Sequence, residues 1–326
     1  MARRLAFVAP LLCALGLAAP ARADVLLPPD GVNFSGLTGT ESVERFSSEV
    51  GHRPSVIGFF TRWYGSWEYI FSAAERNEAR LMLHLSTHSG YGTPEVISPR
   101  AIARGEGDDY LVRLVRRIDE YGQPVYMRLM AEMNQANNTY AAFNRDGSSR
   151  GPSHSTRAFK QAWRRTTLIL RGGPVADIDA RLAQLGLPAV HTDAADLPSP
   201  PIAMLWVPQT EGSPNIRANT ARRYWPGGRY VDWVGTDFYS KFPRWEPLER
   251  FYREFAGKPF VFGEWALWGG DSPGFVNDLF AWMRRHKRVR MAVYNEGKLA
   301  HGPFRLRRYP RSRAALRQAL SSPRWR

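Results

Sequence analysis

The sequence predicts an α/β fold of the (β/α)8 TIM-barrel class. Eight short apolar runs, each bounded by turn residues, follow one another along the chain, as buried parallel strands do. Helical patterns separate many of these runs, and polar or aromatic residues directly follow most of them. Strands that alternate with helices are typical of a barrel or of a doubly wound open sheet. The count of eight favours the barrel, and the open sheet is the main alternative.

The predicted strands come in the following order. They are Gly31–Ser35, Ser55–Phe60, Arg80–Leu85, the run that starts at Val125 and reaches Glu132 and Asn134, Ile202–Val207, a strand within Tyr230–Tyr239, Pro259–Gly263 and Val289–Tyr294. Each is short, rich in β-branched or aromatic residues, and long enough to cross a barrel wall.

Helical periodicity is clearest between Asp108 and Tyr121, where apolar residues recur on one face, two acids begin the segment and Gly122 follows it. Other predicted helices begin after Ser155 and end at Gly172, span Val175–Leu185, surround Leu248–Phe255, open at Ser272 and Pro273, and span Ser312–Leu320. Ser155 and the Ser272–Pro273 pair are typical helix N-termini.

The first 23 residues have the pattern of a secretory signal peptide. Arg3 and Arg4 precede an apolar core, and Ala21-Arg22-Ala23 is a small-residue cleavage site. We therefore expect residues 24–326 to form one secreted, extracellular domain. Cys13, the only cysteine, lies within the signal, so no disulfide and no cysteine chemistry is expected. No later apolar run is long enough to span a membrane.

The chain is basic, with a formal charge of +15. Such a charge suits an anionic partner such as nucleic acid, an acidic glycan or the cell wall. A nucleic-acid binder, however, is expected to concentrate its cations in one stripe, and these arginines are scattered. We therefore expect no nucleic-acid partner. We also expect the protein to be a monomer.

Chemistry in such a barrel lies on the loops that follow the strands. The residues placed there are Trp63 and Trp67 after strand two, His84 and His88 after strand three, Glu132 and Asn134 after strand four, Trp206 and Glu211 after strand five, Asp237 and Tyr239 after strand six, Glu264, Trp265 and Trp268 after strand seven, and Tyr294, Asn295 and Glu296 after strand eight. Carboxylates among aromatic residues are what a glycosidase needs, because aromatic faces stack on sugars while two carboxyl groups perform the reaction.

Three blocks of sequence resemble glycoside hydrolase family 26, whose best-known members are β-mannanases. Gly105–Tyr110 resembles the family's G-x-x-D-x-Y block, and Arg128–Asn134 resembles its R-x-x-H-E-M-N motif. Tyr224–Tyr239 resembles the long strand-six motif that ends in V-G-x-D-x-Y. Lys258–Glu264 is also similar to the K-P-x-x-x-x-E nucleophile strand. The resemblance spans Gly31–Asn295.

The resemblance implies a retaining β-glycanase that needs no cofactor. Glu132 would be the acid/base, Glu264 the nucleophile, Tyr239 a hydrogen-bond partner of the nucleophile, and Arg128 a cation beneath the carboxylates. From their positions near strand ends, and not from the resemblance, we also expect the substrate, a polysaccharide or oligosaccharide, to contact Asn134, Trp63, Trp67, Trp206, Trp265 and Trp268. For Trp206 a place in the core is the alternative.

Several positions depart from the family pattern. Ala131 stands where the family has His, Gln135 replaces a Gly, Met204–Gln209 lacks one Trp and an Asn, and Ala266 replaces a Gly. We therefore expect a divergent member that acts on a β-linked glycan other than mannan.

The main alternative is a non-catalytic barrel that binds a glycan or the cell wall. Two like charges held close together argue against a pure binder. No metal site is expected, since His84 and His88 lack carboxylates at ligand spacing. Nucleotide, dinucleotide and serine-hydrolase motifs are absent from the sequence.

Overall fold

A computed structural model of the chain describes residues 26–39, 42–90, 92–297, 299 and 301–326. The predicted signal peptide and Cys13 lie outside these residues. Eight parallel strands close into a barrel in the order β1-β8-β7-β6-β5-β4-β3-β2, which confirms the predicted fold class. The strands are β1 (Phe34–Thr38), β2 (Val56–Arg62), β3 (Arg80–Ser86), β4 (Val125–Leu129), β5 (Ile202–Trp206), β6 (Trp233–Tyr239), β7 (Phe260–Ala266) and β8 (Val289–Asn295).

Nine α-helices are found in the described part of the chain. They are α1 (Val43–Val50), α2 (Glu68–Arg76), α3 (Pro99–Arg104), α4 (Asp108–Tyr121), α5 (Thr156–Arg171), α6 (Val175–Gln184), α7 (Trp245–Glu254), α8 (Pro273–Arg285) and α9 (Pro310–Leu320). None of the described helices is long and apolar enough to cross a bilayer. Helices α1 to α3 were not predicted. They are only six to nine residues long, too short for a clear helical period.

Two strand predictions were wrong at their ends. The first strand runs over Phe34–Thr38 rather than Gly31–Ser35, because Gly36 interrupts the apolar run that marks it. The fourth strand ends at Leu129 and does not reach Glu132. Met130 and Glu132 have φ values of 40° and 52°, a left-handed backbone that cannot continue a strand.

Side chains alternate between the barrel interior and the helix layer. The interior contains one apolar cluster, to which Phe34, Val56, Met82, Tyr126, Ala203, Leu205, Val207, Trp233, Val261, Met291 and Val293 belong. The residues between them, such as Ile57, Leu81 and Met204, belong to the larger cluster beneath the helices. Counting by twos from these interior residues, the side chains of Arg62, His84 and Arg128 point into the mouth of the barrel.

Strand β7 breaks this alternation at Gly263 and Glu264. Its pairing with β6 passes from Thr236–Phe262 to Asp237–Glu264, so β7 contains one residue more than its neighbour. The pairing with β8 shifts over the same stretch. A bulge of this kind re-aims the side chains that follow it. Glu264 therefore faces the interior, and Trp265 faces the helix layer.

Chain segments near both ends of the described residues lie at the base of the barrel. The Tyr126 hydroxyl donates to the Leu26 carbonyl across 2.6 Å. Trp325 forms a parallel bridge with Asn33, and its ring packs on Phe280 with centroids 5.1 Å apart. Trp325 is 7% exposed, so it belongs to the core that joins β1 to α8.

We predict that Trp325→Ala lowers the free energy of unfolding by about 3 kcal/mol, because it empties a core site that the surrounding helices cannot refill. Chemical denaturation measures this loss. Tyr69→Ala is the control, since Tyr69 is 70% exposed. Equal denaturation midpoints for the two variants would show that the packing of Trp325 on Phe280 is not needed for stability.

Candidate active site

A cleft of about 1130 Å³ opens at the carboxyl ends of the strands. This is the face on which barrel enzymes carry their sites. Its walls hold the predicted carboxylates Glu132 and Glu264, together with Asp237 and Glu211. The cleft is large enough for several sugar rings, and aromatic side chains line part of it.

Arg128 occupies the floor of the cleft and joins two carboxylates. Its side chain is 1% exposed, and its Nη1 donates to Glu264 Oε1 across 2.6 Å. Nη2 donates to Asp237, whose side chain is 2% exposed. Nη1 also lies 2.9 Å from His84 Nδ1. One buried guanidinium therefore fixes carboxylates from β6 and β7 at the centre of the barrel.

Arg128 and Asp237 can lie this close to the backbone of β7 because residue 263 is a glycine. A Cβ atom at this position would lie 2.9 Å from Arg128 Nε and 3.0 Å from Asp237 Oδ1. Both contacts are with buried, hydrogen-bonded groups that have little room to move. Glycine is therefore needed here for space, directly before the carboxylate that β7 presents.

The charges of this cluster depend on one another. Burial raises the pKa of the Asp237 carboxyl well above its usual value; Arg128 opposes that shift, and the charges of Glu264 and Glu132 add to it. Burial disfavours the charge of Arg128, but the three carboxylates raise the pKa of its guanidinium above the ordinary value. Three carboxyl groups therefore share one buried cation, and the charge of each one depends on the others.

Three donors converge on Glu264. Besides Arg128, the Tyr239 hydroxyl donates to Oε2 across 2.5 Å, and Asn295 Nδ2 donates to the same oxygen across 2.7 Å. Burial, followed by the charge of Glu264, raises the pKa of the Tyr239 phenol well above its usual value, so the phenol remains a donor. Gly297 N donates to Asn295 Oδ1 across 2.8 Å, which orients the amide.

Glu132 is held differently, on a loop whose backbone is left-handed at Met130 and Glu132. This conformation costs about 1–3 kcal/mol per residue. Glu132 N donates to the Val207 carbonyl across 2.7 Å, and Asn138 Nδ2 donates to the Glu132 carbonyl across 3.0 Å. Gln209 Nε2 lies 3.2 Å from Glu132 Oε1. The carboxyl group is half-buried and faces the same cleft as Glu264.

Of the predicted substrate-contacting residues, Arg128, Tyr239 and Trp268 line the cleft. Trp268 forms an aromatic wall with Tyr239, Phe242 and Phe304; its ring centroid lies 5.9, 5.7 and 5.3 Å from theirs. Phe242 is 59% exposed. Neither Phe242 nor Phe304 was predicted, because neither directly follows a strand.

Trp63, Trp206 and Trp265 do not line the cleft, so the expected sugar contacts are not found. All three are at most 2% exposed. Trp63 and Trp206 follow inward-facing residues and therefore point toward the helices, where Trp206 packs on Trp225 and Phe255. The bulge in β7 turns Trp265 outward in the same way.

Trp67 and Asn134 also lie outside the walls of the cleft. Trp67 packs on Tyr110 with centroids 4.7 Å apart. Asn134 is fully buried and exchanges two 2.9 Å hydrogen bonds with the Gln209 backbone. Asn134 therefore ties the loop after β4 to the loop after β5, and it supports Glu132 rather than a substrate.

Two hydrogen bonds of the site were not predicted from the sequence. Asn295 and Gln209 donate to Glu264 and Glu132, although each is far from its partner along the chain. The position of Asn295 at the carboxyl end of β8 was the available signal. Among the described residues, no group of three His, Cys, Asp or Glu side chains could hold a metal ion.

No protein-family model and no curated protein sequence matches the chain. Several solved structures are similar. A modular endo-β-1,4-mannanase from Cellulomonas fimi is 16% identical over 91% of this chain and 72% of its own, with a TM-score of 0.61. A family 26 endo-β-1,4-mannanase catalytic domain from Bacillus sp. is 12% identical over 90% and 87%, with a TM-score of 0.59.

The protein GH26A from Muricauda sp. is 15% identical over 91% of each chain, with a TM-score of 0.58. At these identities the likeness shows a shared barrel fold. The shared fold agrees with the resemblance of the sequence motifs to glycoside hydrolase family 26. The low identities agree with a chain that has diverged from the known members of that family.

We predict that Arg128→Met lowers the free energy of unfolding by about 3–5 kcal/mol at neutral pH, because two buried carboxyl groups lose their cation. The raised pKa of Asp237 rises further in this variant. A carboxyl whose pKa is raised by folding stabilises the fold below its unfolded pKa and loses that contribution as pH rises. The destabilisation is therefore larger at pH 8 than at pH 5 in denaturation experiments.

Arg113→Met is the matched control, since Arg113 pairs with Asp109 on the surface and exposed pairs contribute little. A destabilisation by Arg128→Met that did not change between pH 5 and pH 8 would contradict the proton linkage.

Proposed function

We propose that this protein is a retaining glycoside hydrolase that cleaves a β-linked polysaccharide. The observation that carries the proposal is the arrangement of Glu264. It is a buried carboxylate that receives three hydrogen bonds and shares its cleft with the half-buried Glu132. The structural neighbours whose names include endo-β-1,4-mannanase support the same class of reaction.

In the proposed reaction, Glu132 donates its proton to the glycosidic oxygen while a Glu264 oxygen attacks the anomeric carbon. The bond to the leaving sugar breaks, and a covalent glycosyl-enzyme forms. Water then attacks the anomeric carbon and gives its proton to Glu132, which restores both residues and retains the anomeric configuration. Tyr239 and Asn295 orient Glu264, and Arg128 balances its charge.

The substrate is proposed to differ from mannan. Ala131 lines the cleft at the position where the family has His, so a methyl group replaces an imidazole. The Tyr140 hydroxyl donates to the Ala131 carbonyl across 2.6 Å, which leaves that hydroxyl no free proton for a sugar. The hydrogen-bond donor that the family's His would supply beside Glu132 is therefore missing.

We also propose that the protein is exported and acts outside the cell. The proposal rests on the sequence of residues 1–23. N-terminal sequencing of protein recovered from culture medium tests it, and a start at Asp24 is expected.

We predict that the mature protein hydrolyses one member of a panel of β-linked mannans, glucans and xylans. Glu132→Gln should lower kcat by about 10²–10⁴-fold, the usual contribution of a general acid/base, and Glu264→Gln should lower it at least as far. Reducing-end assays measure the rates. Proton NMR of the first product tests whether the β-anomer is retained.

The two variants have nearly the same shape as the parent, so their glycan binding serves as the control. Inversion at the anomeric carbon would exclude the covalent mechanism. A parent protein that cleaves nothing, yet binds a glycan as tightly as Glu264→Gln does, would be a non-catalytic glycan-binding barrel.

We predict that Tyr239→Phe lowers kcat by about 10- to 100-fold, because a hydrogen bond to a charged group contributes about 1.5–3 kcal/mol. Glu264 Oε2 then keeps only the Asn295 donor among the contacts described above, so kcat should fall more than KM rises. Phe242→Leu is the control for loss of aromatic packing in the same wall. A raised KM with an unchanged kcat would indicate that Tyr239 only packs against the substrate.

A further inference from the structure

Arg62 is placed to meet a ligand in the cleft. It is the last residue of β2 and lies on the inward face with Val56, Gly58 and Phe60. Its side chain is exposed and belongs to the wall of the cleft. Strand alternation, rather than a flexible loop, therefore directs this guanidinium toward the space that a substrate would occupy.

The other arginines of the cleft wall are neutralised by carboxylates. Arg128 pairs with Asp237 and Glu264, and Arg244 lies 2.8 Å from Glu211. Among the described residues, Arg62 has neither an ion pair nor a side-chain hydrogen bond. An unpaired arginine is common on a surface, but this one faces a cavity in which the other arginines are paired.

The rim beside Arg62 is lined by small residues. Gly39, Gly65, Ser86 and Gly90 all belong to this part of the wall. Among the described residues, Ser86 is the β3 partner of Arg62 in the barrel and Gly65 lies three residues after it, so small residues flank Arg62. Small neighbours of this kind favour access of a charged group on a sugar ring to the guanidinium.

The opposite rim also has an excess of positive charge. Lys241 Nζ lies 4.8 Å from the Trp268 ring centroid. Glu211 faces Arg244 and Arg250, of which Arg250 also pairs with Glu246.

We propose that the substrate is an acidic β-glycan and that Arg62 binds a uronic acid carboxylate on one of its sugars. This inference rests on the proposed function. The planar fork of an arginine matches a carboxylate with two parallel hydrogen bonds. Arg62 thereby selects among glycans of the same linkage, while the carboxylates of the cleft floor perform the reaction.

The test compares a neutral β-glycan with the same polymer oxidised at C6, which replaces hydroxymethyl groups by carboxylates without changing the linkage. We expect the parent protein to prefer the oxidised polymer. Arg62→Gln should lower the ratio of kcat/KM on the oxidised polymer to kcat/KM on the neutral one by about 10- to 100-fold. Added salt should reduce the preference of the parent protein.

Arg116→Gln removes the same charge from an exposed position on α4 and should leave the ratio unchanged. The inference is overturned if the parent protein prefers the neutral polymer, or if Arg62→Gln reduces both rates equally. A C6-sulfated polymer cleaved faster than the oxidised one would also overturn the assignment to uronic acid.

Binding distinguishes a failure of this inference from a failure of the proposed function. Calorimetry compares Glu264→Gln with the double variant Arg62→Gln/Glu264→Gln on oxidised oligosaccharides. Weaker binding by the double variant supports the role of Arg62 even if no glycan is hydrolysed. Equal binding overturns that role even if neutral glycans are cleaved.

Discussion

The centre of this barrel depends on one buried guanidinium. Arg128 carries the positive charge between Asp237 and Glu264, which reach it from two neighbouring strands. Taking such ions out of water costs several kcal/mol each, which even a close pair recovers only with good geometry. The glycine at position 263 and the bulge beside it supply that geometry. We interpret the cluster as a functional device, since an apolar core would stabilise a barrel at less cost.

The two candidate catalytic carboxyl groups are held in ways that suit different tasks. Glu264 is buried on a strand and accepts hydrogen bonds from Arg128, Tyr239 and Asn295, which fix the orientation of its carboxylate. Glu132 is half-buried on a left-handed loop, and Gln209 Nε2 lies 3.2 Å from its Oε1. A group that must exchange a proton with a leaving sugar and then with water benefits from that access to the cleft.

The cleft has two unlike rims. One carries Trp268, Phe242 and Phe304, flat surfaces that suit the C–H faces of sugar rings. The other combines Arg62 with glycines and serines, and suits a charged substituent. Stacking recognises sugar rings of many kinds, whereas an arginine fork discriminates by charge. We therefore propose that the second rim contributes more to the choice of glycan than the first.

The sequence alone determined the fold and its principal carboxylates. Apolar runs bounded by turn residues indicate the strands directly, and the positions of Glu132, Asp237 and Glu264 near strand ends follow from chain order. Their catalytic roles stay predictions. The direction of each tryptophan was decided only by the tertiary structure, because a strand that is apolar on both faces does not reveal which face is inward. The bulge in β7 then reverses that direction at Trp265. Contacts such as Asn295 with Glu264, and the unpaired state of Arg62, depend on strands that meet only when the barrel closes.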